Sequence, residues 1–74
     1  MSEPVFEVRE MIREKYHSEA ECARSMGWKR QRLNKITTGK KIPDIDELNT
    51  LAVALGRDVA VLLHIFLNRK STNA

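Results

Sequence analysis

Apolar residues recur along the chain at three- and four-residue steps, and no alternating apolar–polar run of strand length occurs. This is the helical period, so the chain reads as all-α. Val5, Val8, Ile12 and Tyr16 form one stripe, widened by Met11, and predict a first helix over about Pro4 to Tyr16. Pro4 fits a first turn, where no backbone donor is missed. A second helix starts at Ser18 and stops at Gly27, with Cys22, Ala23 and Met26 inward. A third runs from about Lys29 to Thr38, turns Leu33, Ile36 and Thr37 inward, and stops at Gly39. A fourth follows Pro43, buries Ile45, Leu48, Leu51, Ala52 and Leu55, and ends at Gly56. A fifth begins near Asp58 and runs to about Asn68, leaving Ser71 to Ala74 as a polar tail.

The boundaries carry their own chemistry. Ser18 with Glu21, and Asp44 with Glu47, each have the spacing of a capping box. In such a box the cap oxygen accepts from the third helical amide and the Glu side chain reaches back. Gly27, Gly39 and Gly56 stand where a left-handed residue ends a helix.

Charge changes the picture more than composition does. The run from Cys22 to Pro43 holds seven basic residues and no acid, hence +7. The rest of the chain carries six basic residues against ten acidic ones, hence −4, and the two make the net +3. A basic block set against an acidic remainder is the footprint of a polyanion-binding molecule, although many charge runs are only solvated faces.

Seventy-four residues make one domain, with an ordered core expected over about residues 4–68. One cysteine, Cys22, excludes an intrachain disulfide. Cys22, His17 and His64 are too few for a metal site, so neither metal nor cofactor is expected. The two histidines read as structural or solvated, and Cys22 as a small core residue. No nucleophile–base pair, phosphate loop or room for a small-molecule substrate is legible, so the chain is not expected to be an enzyme. The longest apolar stretch, Val59 to Phe66, is interrupted by His64 and is too short to span a bilayer. With no leader pattern at the N-terminus, a cytoplasmic location is expected.

The basic run coincides with a specific layout. Two short helices are joined by a tight turn at Gly27 and Trp28, and Trp28 is placed to plug the angle between them. This is the arrangement of a helix-turn-helix, whose second helix enters the DNA major groove. With Leu33, Ile36 and Thr37 inward, Gln31, Asn34, Lys35 and Thr38 point outward at about 100° per residue, and Arg30 and Arg32 flank them.

From Val8 to Leu67 the chain resembles the lambda-repressor-like, or Cro/XRE-type, helix-turn-helix proteins of bacteria and their phages. The matching positions are Ala23, Gly27, Leu33, Ile36, Gly39, Pro43 and the Ala54-Leu55-Gly56 ending, followed by the stretch from Asp58 to Leu63. The resemblance implies a compact five-helix DNA-binding domain. It places Arg30, Gln31, Asn34 and Lys35 where base edges are met, and their chemistry suits guanine and adenine. Arg24, Lys29, Arg32, Thr38, Lys40 and Lys41 are expected at phosphates, which position the protein without reading sequence. Backbone amides after Gly39 are a further candidate for phosphate. The chain departs from the family pattern at four places. Glu19 replaces a Gln that touches phosphate in many members, and its charge is expected to repel the DNA backbone. Cys22 replaces Leu, Lys29 replaces a capping Ser or Thr, and Thr37 replaces a frequent Glu.

Val59 to Leu67 place apolar groups all round the last helix. One face can cover the core and the other is expected to form a two-fold homodimer through Val61, Leu62, Ile65 and Phe66. Such a dimer presents two recognition helices about 34 Å apart to an inverted-repeat operator. The functional expectation is a bacterial or phage transcriptional regulator, repressing by blocking polymerase. The alternative is a protein-interaction module, an antitoxin or co-regulator, with weak or no DNA binding, and a regulatory protein partner is an option in either case. RNA binding is disfavoured by the scarcity of aromatic residues for stacking.

Overall fold

The computed structural model describes the backbone over residues 3–71 and side chains over residues 3–69. Five helices follow one another: α1 (Phe6–Tyr16), α2 (Glu19–Met26), α3 (Arg30–Thr37), α4 (Ile45–Leu55) and α5 (Val59–Ser71). No strand occurs among the described residues. The all-α, five-helix expectation therefore holds, with shifted boundaries. Pro4 precedes α1 rather than opening it, because the Val5 amide is bonded to the Thr37 carbonyl (2.7 Å) and Val5 becomes the cap residue. Helix α5 continues to Ser71, and residues 72–74 of the expected tail lie outside the described residues.

The caps form unequally. Asp44 and Glu47 complete the reciprocal box, with Glu47 N to Asp44 Oδ1 at 2.8 Å and Asp44 N to Glu47 Oε1 at 3.1 Å. Ser18 makes only the hydroxyl half, accepting from Glu21 N at 3.2 Å. Lys29 offers α3 no side-chain cap, as its chemistry requires. Helix α1 stops at His17, an exposed residue at φ +69°.

One core joins all five helices: Val5 and Val8 with Ile12, Cys22 and Ala23, Leu33 and Ile36, Leu48, Leu51, Ala52 and Leu55, and Leu62 with Phe66. Helix α2 packs on α1, α3 and α4, while α5 packs on α4. Tyr16 pins the end of α1 to α4 by donating to the Ala54 carbonyl at 2.7 Å. Ile45 is a correction. It is 66 % exposed, because as the first residue of α4 it overhangs the core that Leu48 begins to cover.

Gly39 closes the α3–α4 turn at φ +82°. The chain beside it leaves no room for a side chain: a Cβ here would collide with the Glu3 carbonyl and the Arg69 guanidinium. Arg69 in turn donates to the Glu3 and Pro4 carbonyls, so the last helix holds the N-terminal segment against the end of α3.

Candidate nucleic-acid interface

Helix α3 owes its orientation to three buried residues. Leu33, Ile36 and Thr37 are each fully buried, which fixes the opposite side of the helix toward solvent. Arg30, Gln31 and Lys35 stand exposed there. Lys29, Gln31, Arg32, Lys35 and Lys41 line one surface groove beside the helix. Arg30 and Asn34 line a second on its other side, with Arg9, Arg13, Ser18 and Glu19. The four expected base readers thus lie on one helix, with Lys29, Arg32 and Lys41 gathered beside them. Arg24 and Lys40 are exposed as well.

Two acids from outside the basic run fold into this face. Glu47 is 1 % exposed and its Oε2 accepts from Lys41 Nζ at 2.8 Å and Arg32 Nε at 3.0 Å. Burial opposes its charge. The bonds from Lys41, the Asp44 amide and Arg32 outweigh that cost and hold its carboxyl below the ordinary value. The Arg32 guanidinium also lies over the Trp28 ring, 4.4 Å from its centroid. Trp28 is half-buried, packing against the core with the ring and carrying Arg32 on it. Arg32 and Lys41 are therefore held cations with about half of each side chain exposed, and one negative charge is set against the pair.

Glu19 is the second acid, and it corrects the expectation that its charge simply faces the DNA backbone. Asn34 Nδ2 donates to its Oε1 (3.1 Å) and Thr37 Oγ1 to its Oε2 (3.0 Å). Two departures from the family pattern, Glu19 and Thr37, are bonded to one another. The acid on α2 finds its donors on α3.

Other expectations change in detail. The Lys40 and Lys41 amides are both spent on the Lys35 carbonyl, at 2.9 and 3.0 Å, so they offer no donor to phosphate. Thr38 is half-buried and gives its hydroxyl proton to the Asn34 carbonyl at 2.7 Å. Leu62 and Phe66 are 0 % and 5 % exposed within the single chain. They are core residues rather than partner-facing ones, because the side of α5 toward α4 needs them. Val61 is exposed and Ile65 half-buried, so these two remain accessible.

Sequence reading missed Glu47 as a charge partner and saw only its cap. A signal was present: Glu47 sits on the same side of α4 as Leu48, Leu51 and Leu55, and an acid on an apolar stripe requires cations opposite. Arg9 and Arg13, at the edge of the second groove, carried no such signal.

Cys22 is fully buried, and its thiol is pushed up to about 11 by burial and the nearby Glu19 charge, against a smaller opposing pull from Lys15. It stays protonated and inert. Among the described residues no cluster of three or more His, Cys, Asp or Glu could hold a metal. No helix there is long and apolar enough to cross a membrane.

A family model described as helix-turn-helix matches residues 8–62 of the chain. No curated protein and no solved structure matches it.

Proposed function

Because the chain belongs to the Cro/C1-type, lambda-repressor-like helix-turn-helix family of DNA-binding regulators, we propose that it recognises a specific double-stranded sequence by laying α3 in the major groove. The reading rests on one observation above all. Arg30, Gln31 and Lys35 project from a helix locked by three fully buried residues. Exposed donors and acceptors on a rigid helix are what base edges require. Asn34 joins them from the edge of the same face. Arg24, Lys29, Arg32, Lys40 and Lys41 meet the phosphates on either side.

The biological role that fits best is a repressor in the cytoplasm of a bacterium or of a phage-infected cell. It binds an inverted-repeat operator as a homodimer joined through α5, with Val61 and Ile65 toward the partner copy. Occupying the operator blocks polymerase. Selection from a random duplex library with purified protein tests this, and an enriched palindrome with half-sites one helical turn apart is the expected result. An enriched unpaired half-site would remove the dimer and keep the reading helix. No enrichment at low salt would favour the interaction module instead.

A further inference from the structure

The Glu19 carboxylate touches a base-reading side chain, and its chemistry fixes how that side chain is presented. An ionised carboxylate only accepts hydrogen bonds. The Asn34 amide therefore has to turn its Nδ2 toward Glu19, at 3.1 Å, since its Oδ1 would meet a negative oxygen there. The carboxylate is held at its other oxygen by the fully buried Thr37, whose one hydroxyl proton goes to Glu19 Oε2 at 3.0 Å in preference to the Asn34 carbonyl at 3.2 Å, because the carboxylate is the charged acceptor. One amide proton of Asn34 is thereby committed. The second proton and Oδ1 remain for the groove that Asn34 lines beside Arg30.

We propose that Glu19 is a specificity-determining positioning residue that locks Asn34 as a paired donor and acceptor and so directs it to adenine. Adenine offers an N7 acceptor beside an N6 donor in the major groove, which is the complement of that pair. Guanine offers two acceptors, N7 and O6, and Oδ1 would face one of them. The inference rests on the proposal that α3 reads DNA, and adds which base one of its residues selects and why.

The amide form of the same side chain is the diagnostic variant. Gln at position 19 keeps the shape but presents either a carbonyl or an N–H₂ to Asn34. With Thr37 donating to the carbonyl end, the N–H₂ end meets Asn34 and draws its Oδ1 inward. Both amide protons of Asn34 then face the groove, and guanine becomes acceptable.

The test compares duplex-library selection and competition binding for the wild type, Glu19→Gln, Asn34→Ala and the double variant. Removing the carboxylate also relieves repulsion of the DNA backbone, so a uniform gain in affinity across sequences is set aside by measuring preference at each base pair. The expected result is that Glu19→Gln lowers the adenine-over-guanine preference about tenfold at one base pair per half-site and leaves the others unchanged. In the Asn34→Ala background the same change has no effect on preference at any position. A purely structural role would weaken all sequences alike. Glu19→Gln retaining the wild-type preference at every base pair, with the wild type itself selective, overturns the assignment and leaves the DNA-reading role standing. A wild-type protein that selects no sequence overturns both.

Discussion

Arg32 Nε stands 3.0 Å from Glu47 Oε2, joining α3 to α4 through a carboxylate that is almost wholly buried. The same oxygen takes Lys41, and the other oxygen caps α4. One side chain thus sets a helix start, a loop and a helix-to-helix distance. Glu47→Ala removes all three and leaves two cations facing each other. The expected loss is about 2–3 kcal/mol, a cap with part of an ion-pair penalty, held below the fully buried case because both cations are half-exposed. Urea unfolding with an unchanged m-value measures it.

The same group makes stability depend on pH. Glu47 is held below its ordinary value of 4.5 in the folded chain, so the unfolded chain takes up its proton first as pH falls. Its contribution is present in full above that ordinary value and is lost progressively below it, as pH falls toward the folded value. Glu47→Gln is therefore expected to cost most near neutral pH and to lose its effect in acid. Urea midpoints of the two proteins should converge as pH drops below 4.5. A constant gap between them would show that the carboxylate's charge plays no part.

Glu47 also changes the expected response of DNA binding to salt. Five cations on phosphates, Arg24, Lys29, Arg32, Lys40 and Lys41, would give a log–log slope near −4.5 at about −0.9 per phosphate. One of those charges is already met inside the protein. The slope expected for the wild type is about −3.6, and Glu47→Gln should steepen it toward about −4.5. Lys40→Ala should flatten it by about 0.9 without the loss of fold stability that Lys41→Ala brings. Titrations over a salt series with one duplex give all these slopes.

The helices were legible because their signals are local. Stripes at three- and four-residue steps, the Asp44–Glu47 box and the glycine stops all sit within a few residues of what they specify. The departures are where the deciding partner is distant in sequence. Glu47 meets Arg32 from 15 residues away, and Glu19 reaches Asn34 and Thr37 across the turn. A cap and a missing Gln were visible in the sequence, but the ion triad and the oriented amide were not. Ile45 follows the apolar period and still lies outside, since periodicity gives a direction around the axis and not a position along it. In α5 apolar residues lie on most sides, and the mark of the side away from α4 is the exposed pair His64 and Asn68 one turn apart, a weaker signal than the stripes of the other helices. The basic run was legible as charge, and the two acids that temper it became visible only when the chain closed on itself.

The face of α5 away from the core decides the oligomeric expectation. Taking Leu62 and Phe66 as the inward direction, Val61 lies to one side, while Val59, Leu63 and Leu67 form a strip on the other. Val61 is 42 % exposed on the first side, and Leu63 and Leu67 are 38 % and 53 % exposed on the second. A two-fold contact through Val61 and Ile65 covers the first side. Val61→Glu should therefore lower the measured mass from two chains to one at micromolar concentration and leave monomer stability within about 0.5 kcal/mol of the wild type. Leu62→Ala should act in the opposite sense, costing about 2–5 kcal/mol of fold stability because Leu62 is fully buried within one chain. Light scattering with urea unfolding separates the two effects. A wild-type protein that stays at one chain at micromolar concentration would remove the dimer, and with it the paired half-sites.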